Sequence, residues 1–247
     1  MKVSVITICL NEAKGIKDTI ESVVNQEFRD FEYIVVDGNS TDGTREIIEK
    51  FRKNIDVFIS EKDEGIYSAM NKGLSYSKGE YIIFLNGGDH FYNYNVLSDV
   101  FRNKITKPIF YGYCETTTSK NTPTLFRAPK RLTRLHLAKT SIPHQATFVK
   151  RELFQKYGNF DESYKLAGDY DFLLRLVVKH SIQAQYIPVL CSYFDKNGIS
   201  STLHELREVE KRKARQTNFS AISLKFYTGV NILIDRLRLI KRSLKIY

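Results

Sequence analysis

Strands and helices alternate through the first hundred residues, and this order limits the possible folds more than any other feature of the sequence. Runs of β-branched and aromatic residues predict buried strands at Val3–Leu10, Tyr33–Asp37, Val57–Ser60 and Tyr81–Leu85. The segments between them predict helices at Ile16–Val24, Thr44–Phe51 and Ile66–Tyr76. This alternation is typical of an α/β fold in which helices cover both faces of a mostly parallel sheet.

Polar and glycine-rich residues follow each predicted strand. They are Asn11 with Glu12, Asp37 with Gly38, residues 61–65, and the run from Asn86 to Asp89. Parallel strands of one sheet end at the same edge, and ligands bind at that edge in α/β proteins. We therefore expect these residues to form one acidic site.

The second half of the chain is less regular. A further strand is predicted at Ile109–Tyr113, a polar loop at Thr116–Thr124, and helices at Glu152–Tyr157 and Asp169–Lys179.

The three cysteines, Cys9, Cys114 and Cys191, are scattered and lack the spacing of a metal site. We therefore do not expect a thiol metal site, and a chain with so few cysteines favours a reducing compartment. No stretch approaches the roughly 20 apolar residues of a spanning helix. We therefore expect a cytoplasmic protein, either soluble or peripheral at the inner face of the cell membrane.

The net charge of +10 is concentrated at the C-terminal end of the chain. From Glu205 to Tyr247 there are 11 Lys or Arg residues and 4 Asp or Glu residues. A nucleic-acid-binding protein would instead spread basic and aromatic residues over a folded face. Since the predicted site is acidic, we expect no nucleic-acid partner.

Apolar residues in the same C-terminal segment are spaced three and four apart, which predicts one amphipathic helix. They are Phe219, Ile222, Phe226, Val230, Leu233, Leu237, Ile240 and Leu244. Three placements of this helix remain open from the sequence. It could lie on an anionic membrane surface, pack on the rest of the chain, or pair with a second copy as a homodimer.

A series of motifs in this order resembles the family 2 glycosyltransferases, which have the GT-A fold. The motifs are the runs 5–12, 35–44, 64–73 and 79–89, followed by 143–145 and 168–172. The resemblance is strongest to members that build bacterial exopolysaccharide, capsule or lipopolysaccharide sugars. It implies a GT-A catalytic domain over 1–204, with a nucleotide-binding half (1–103) and an acceptor half (104–204), followed by a basic helical tail over 205–247.

The resemblance also implies a binding site for a nucleoside diphosphate sugar, usually a UDP-sugar. Asp37 matches the family acid that binds the base, and a carboxylate at a strand end can accept a hydrogen bond from a base N–H. Taken alone, Asp37 and Gly38 would indicate only a turn. The further nucleotide contacts implied are Thr7, Asn11, Glu12, Asn39, Ser40, Asp63, Asn71, Asn86 and Gly87.

The run Asn86-Gly87-Gly88-Asp89 occupies the position of the family's Asp-x-Asp metal motif. A hard divalent cation, Mn²⁺ or Mg²⁺, stabilises the charge of a leaving diphosphate. Asp89 is the remaining carboxylate, because Asn86 and Gly88 replace the acids often found there. Metal ligation then depends on Asp89, with His90 or His144 as a further candidate. An inactive relative is the alternative.

Asp169 matches the family's catalytic base, which takes the proton of the acceptor hydroxyl in inverting transfer. Without the resemblance, Asp169 and Asp171 would be first-turn acids that favour a helix N-terminus. Contacts to the phosphates or to a saccharide or lipid-linked acceptor are implied for His144, Gln145, Asp171 and Ser200. A sugar-phosphate nucleotidyltransferase is a weaker alternative, because its first strand would lead into a glycine-rich basic loop.

Overall fold

A single mixed sheet of nine strands lies at the centre of the part of the chain that the structure describes. The structure, a computed structural model, describes residues 1–117, 122–194 and 203–243, with side chains as far as residue 239. The strands are β1 (Val3–Cys9), β2 (Phe31–Asp37), β3 (Val57–Ser60), β4 (Tyr81–Phe84), β5 (His90–Phe91), β6 (Ile109–Thr117), β7 (Pro123–Phe126), β8 (Thr147–Lys150) and β9 (Ala184–Phe194).

Helices cover both faces of this sheet. They are α1 (Ile16–Val24), α2 (Thr44–Lys50), α3 (Ile66–Tyr76), α4 (Val96–Arg102), α5 (Arg134–Leu137), α6 (Arg151–Tyr157), α7 (Gly168–Leu174), α8 (His204–Asn218) and α9 (Ala221–Ser243). Short 3₁₀ turns occur at Arg52–Asn54 and His144–Ala146, and a π-helical turn, Arg175–Lys179, continues α7.

The strands lie in the order β3-β2-β1-β4-β8-β6-β9-β5, with β7 beside β6. Starting from β1, the chain places β2 and β3 on one side and then β4 on the other. Strand β1 pairs in parallel with both β2 and β4, so Ile6 lies between Ile34 and Phe84. Strand β8 is antiparallel to β4, with Val149 opposite Ile82. Because of this antiparallel pairing, the residues that precede β8 lie next to those that follow β4.

Both faces of the sheet are packed with apolar side chains. On one face Met70 and Leu74 of α3 pack with Ile6, and on the other Ile16 and Ile20 of α1 pack with strand residues. Helix α3 approaches β1 closely at Gly73, where an added Cβ would lie 2.5 Å from Ile6 Cγ2. A larger residue at this position would push α3 off the sheet.

The predicted α/β fold is confirmed, and three elements keep the predicted bounds: β3, α1 and α3. The polar loop predicted at Thr116–Thr124 is wrong at both ends, because β6 extends to Thr117 and β7 begins at Pro123. Helix α4 and strand β8 were not predicted. Strand β8 pairs with β4 and β6, which are distant from it in sequence. Helix α4 has a local helical pattern, since its buried residues are Val96, Leu97 and Val100.

The C-terminal segment forms two helices, and the predicted amphipathic helix corresponds to the second of them, α9, which follows α8. Helix α8 packs on α7 and buries Glu210, Ala214 and Asn218. Phe219, predicted to begin the stripe, lies after the end of α8 and is buried in the core. No helix within the described ranges is long and apolar enough to cross a membrane.

Candidate active site

The turns that follow β1 and β2 are joined by hydrogen bonds at the carboxyl edge of the sheet. The backbone N–H of Asn11 donates to Ser40 Oγ at 2.8 Å, and the N–H of Thr41 donates to Asn11 Oδ1 at 2.9 Å. Asn11 and Asn39 have φ values of 53° and 68°, a conformation that asparagine tolerates better than most residues. The structure thus places Asn11, Asn39 and Ser40 together at this edge.

Asp37 is fully buried where β2 ends, and its carboxylate accepts several hydrogen bonds. Ser60 Oγ donates to Oδ2 at 2.7 Å, and the backbone N–H of Ser40 donates to the same atom at 3.2 Å. Asp63 lies close by, since a Cβ added at Gly38 would be 2.7 Å from Asp63 Oδ2. Ser60 was not predicted, although it ends a predicted strand of the same edge.

Glu12 lies against the glycine loop that follows β4. An added Cβ at Gly87 would be 2.9 Å from Glu12 Cγ, and one at Gly88 would be 3.3 Å from Glu12 Oε1. Gly88 also has a φ of 91°, which favours glycine. Burial and then the charge of Asp42 raise the pKa of Glu12 above its ordinary value. The loop therefore passes close to a carboxylate that holds its proton more tightly than usual.

Asp89, at the end of the same loop, is buried. Gln145 Nε2 donates a hydrogen bond to Asp89 Oδ2 at 3.1 Å. Burial raises the pKa of Asp89 to about 6, although this hydrogen bond and the charge of His144 act in the opposite direction. Gln145 reaches Asp89 because the turn His144–Ala146 precedes β8, the antiparallel neighbour of β4.

His144 connects the glycine loop with helix α7. Its Nε2 lies 3.3 Å from Asn86 Nδ2, and its Nδ1 lies 3.3 Å from Asp169 Oδ2. Burial lowers the pKa of His144, but the hydrogen bond and charge of Asp169 outweigh burial, and the net pKa is raised. An imidazole ring thus connects a residue of the predicted donor side with the predicted catalytic base.

Asp169 lies in the first turn of α7, with its carboxylate held from two sides. Tyr67 Oη donates to Oδ1 at 3.2 Å, and His144 contacts Oδ2. Burial raises the pKa of this carboxyl, but the hydrogen bond and charge of His144 overcome that effect and hold the pKa below its ordinary value. Asp169 is therefore ionised at neutral pH, the form that can accept a proton.

Asp171 is directed away from Asp169, towards the C-terminal helices. Asn218 Nδ2 of α8 donates to Asp171 Oδ1 at 2.8 Å, and Arg175 Nη2 lies 3.6 Å from Oδ2. Burial raises the pKa of Asp171 above its ordinary value. The structure thus uses this carboxylate to join α7 with α8 and does not bring it to the carboxyl edge.

Two other predicted site residues also lie apart from this group. Thr7 is fully buried inside the sheet and accepts from Tyr33 Oη at 3.1 Å. Asn71 Nδ2 donates to Phe160 O at 3.0 Å and to a neighbouring glutamate, so its amide joins α3 to the loop before α7. Ser200 lies outside the described residues.

Oxygen atoms around the glycine loop are of the kind that a hard cation prefers. Within the described ranges, no three His, Cys, Asp or Glu side chains are arranged to hold a metal. Asn86 Oδ1 is buried without a hydrogen-bond partner among the described residues. This oxygen, the carboxylate of Asp89 and the nearby carboxylate of Glu12 are compatible with Mg²⁺ or Mn²⁺, which commonly binds one or two carboxylates together with substrate phosphates.

Comparison with known sequences agrees with this geometry. Residues 4–158 match the family described as Glycosyl transferase family 2. A PGL/p-HBAD biosynthesis glycosyltransferase of Mycobacterium bovis is 30% identical over 221 residues, which cover 87% of this chain and 84% of the relative.

Two solved structures resemble the fold. S. aureus TarS 1-349 in complex with UDP-GlcNAc matches 92% of this chain and 70% of its own, with a TM-score of 0.71 and 20% identity. The mannosyltransferase PcManGT from Pyrobaculum calidifontis, in complex with GDP-Man and Mn²⁺, matches 77% of this chain and 56% of its own, with a TM-score of 0.58 and 19% identity. At these identities the likeness concerns the fold alone.

Proposed function

This chain belongs to glycosyl transferase family 2 and is a glycosyltransferase of the GT-A fold, and we propose that it transfers sugar from a UDP-sugar with inversion. The observation that carries the proposal is the position of His144. It contacts Asn86 on the donor side and Asp169, the proposed base, at 3.3 Å each. His144 therefore lies between Asn86, proposed to act near the leaving diphosphate, and Asp169, proposed to act on the attacking hydroxyl.

Asp169 takes the proton of the acceptor hydroxyl as the acceptor oxygen attacks the anomeric carbon. The new carbon–oxygen bond forms on the side opposite the bond between the anomeric carbon and the diphosphate. That bond breaks, and the nucleoside diphosphate leaves. One carboxylate suffices, because the leaving diphosphate needs no proton and attack from the opposite side inverts the anomeric centre. Tyr67 and His144 orient the carboxylate, and His144 stabilises its ionised form.

Asp37 is proposed to bind the base of the donor. Its carboxylate lies where β2 ends, a position from which a carboxylate can accept a base N–H, and Ser40, Ser60 and the Cys9 thiol already donate to it. Uridine is the proposed nucleoside, supported by the TarS neighbour described in complex with UDP-GlcNAc. In this proposal residues 1–103 bind the nucleotide, and residues 104–204 bind the acceptor.

A divalent cation, Mn²⁺ or Mg²⁺, is proposed as cofactor. Asp89 and Asn86 Oδ1 would hold it, with Glu12 close by. When bound, such a cation neutralises charge on the departing diphosphate. Support comes from the oxygen-rich character of this loop and from the mannosyltransferase neighbour described with Mn²⁺.

The proposed acceptor is a saccharide or a lipid-linked saccharide of a cell-surface glycan. Support comes from the relative named for PGL/p-HBAD biosynthesis, which aligns with most of this chain. We propose a cytoplasmic location at the inner face of the cell membrane. The three free, buried thiols are compatible with a reducing compartment.

Calorimetric titration with UDP, GDP, CDP and ADP, each with Mn²⁺, Mg²⁺ or chelator, tests the donor site. We expect UDP to bind and the cation to strengthen its binding. Replacement of the base, Asp169→Asn, should lower transfer by about 10² to 10⁴-fold and leave UDP affinity nearly unchanged. Asp161→Asn, in the loop before α7, is the matched control and should retain transfer.

Two outcomes would count against the proposal. Absence of nucleotide binding under every condition would indicate an inactive relative. Loss of UDP binding in the Asp169→Asn variant would remove Asp169 from the role of base and assign it to the donor site.

A further inference from the structure

Among the side chains of helix α9 that the structure describes, those that attach it to the rest of the protein lie on one side. Asn231 Nδ2 donates to the backbone carbonyl of Leu135 in α5 at 3.1 Å, and Lys139 Nζ pairs with Asp235 at 2.6 Å. Leu224 and Tyr227 on the same side pack against the core. These contacts fix which side of the helix faces outward.

The outward side carries large apolar residues, which we call the apolar face of α9. Ile222 is 84% exposed, Phe226 63%, Leu233 57% and Leu237 52%. Their spacing of four, seven and four residues puts them on one side of the helix. Soluble monomers seldom expose large contiguous apolar patches, so the apolar face needs an occupant.

Exposed basic residues border the apolar face. Lys225 and Arg236, both exposed, follow one edge of it, whereas Arg238 lies on the attached side, where it pairs with Asp235. Lys241, Arg242 and Lys245 continue the basic character in the sequence. An apolar stripe beside basic side chains complements a partner with an apolar interior and negatively charged groups at its surface.

We propose that the apolar face of α9 lies on an anionic lipid bilayer, with Phe226 and Leu233 among the acyl chains and Lys225 and Arg236 at the headgroups. A second copy of the chain is a poorer occupant, because pairing along this face would bring the basic residues of both copies together. The lipid contact does not depend on the proposed reaction, since none of these residues belongs to the candidate active site.

Flotation of the purified full chain with lipid vesicles tests this proposal. We expect binding to vesicles of phosphatidylcholine mixed with phosphatidylglycerol, and little binding to phosphatidylcholine alone. The double variant Phe226→Ser/Leu233→Ser should lose about a hundredfold in vesicle affinity. The variant Lys225→Glu/Arg236→Glu should lose binding to the anionic vesicles, and added salt should weaken binding of the wild type.

Matched control variants separate this contact from a general effect of surface changes. Val209→Ser removes an apolar side chain of α8 that is 60% exposed, and Lys53→Glu reverses an exposed charge far from α9. Both should bind vesicles like the wild type. UDP affinity, measured in parallel, should be the same in every variant.

The proposal fails if the wild type does not bind anionic vesicles, or if the Phe226→Ser/Leu233→Ser variant binds them equally well. It also fails if light scattering finds a dimeric wild type and a monomeric double variant, because the occupant would then be a second copy. Unchanged UDP affinity alongside lost vesicle binding would support the lipid contact and leave the proposed reaction unaffected.

Discussion

Glu210 of α8 accepts a hydrogen bond from the backbone N–H of Ala167 at 3.0 Å, directly before the helix that carries Asp169. The same buried carboxylate accepts from the N–H groups of Lys165 and Leu166, both at 2.8 Å. Three consecutive donors on one carboxylate fix the path of the chain into α7. A residue from the C-terminal part of the chain thus helps to hold the proposed base in position.

The first prediction concerns this carboxylate. An amide at position 210 cannot accept from all three backbone N–H groups, because one of its ends is a donor. We expect Glu210→Gln to lower the free energy of unfolding by about 1.5–3 kcal/mol, the usual value for hydrogen bonds to a charged group. We also expect kcat to fall with little change in the KM for the donor, because α7 shifts relative to the nucleotide site.

Denaturant unfolding and initial-rate kinetics check this prediction. Glu208→Gln is the matched control, since Glu208 lies on the same helix, is 42% exposed and pairs with Lys211. It should change stability by less than about 1 kcal/mol, as is usual for surface ion pairs. A Glu210→Gln enzyme that loses stability and keeps its kcat would show that the carboxylate has a structural role only.

The second prediction concerns His144, whose hydrogen bond and charge hold the pKa of Asp169 below its ordinary value against the effect of burial. Without the imidazole, burial dominates and the pKa of Asp169 rises. In a His144→Ala variant, the Asp169 carboxyl group therefore keeps its proton up to a higher pH than in the wild type. We expect the acid limb of the pH profile of kcat/KM to move to higher pH, because a protonated Asp169 cannot act as base.

Transfer rates measured over a range of pH check this shift. His204→Ala, which removes an exposed histidine at the start of α8, should leave the profile unchanged. A His144→Ala profile that is lower but not displaced would contradict the electrostatic part of the argument.

The grouping of the residues proposed to bind the donor could be predicted from the sequence, because local patterns determine it. Asp37 ends β2, and the loop from Asn86 to Asp89 follows β4. Both strands pair in parallel with β1, and parallel strands end at one edge. The resemblance to the family then supplied the expected roles. The bonds of Asp37 with Ser40 and Ser60 show how close these neighbouring strand ends are.

The contacts of His144 could not be predicted in the same way. They depend on the antiparallel pairing of β8 with β4, which joins segments distant in sequence. The apolar period of the C-terminal segment indicated a helix, but the period alone does not say which side faces the protein. That side is set by Asn231 and Asp235, whose partners lie near α5.

The third prediction concerns Asp37. Its removal in Asp37→Ala deletes the proposed acceptor for the base N–H, so we expect the Kd for UDP to rise by about 10 to 100-fold, as for loss of a charged hydrogen bond. Isothermal titration measures this change, and the thermal unfolding midpoint shows whether the variant is folded. Asp30→Ala, at an exposed position before β2, should bind UDP like the wild type. Unchanged affinity in a folded Asp37→Ala variant would remove Asp37 from the nucleotide site.

The fourth prediction concerns Asp89 and the proposed cation. In Asp89→Asn the side chain keeps an oxygen that can accept from Gln145, but it loses the negative charge that would attract a divalent cation. We expect the variant to bind UDP equally well with Mn²⁺ and with chelator, whereas the wild type binds UDP more tightly with Mn²⁺. Asp18→Asn, on the exposed side of α1, serves as the control and should keep the Mn²⁺ effect. If Asp89→Asn also keeps the full Mn²⁺ effect, the cation is bound by other groups, and the role proposed for the buried carboxylate is wrong.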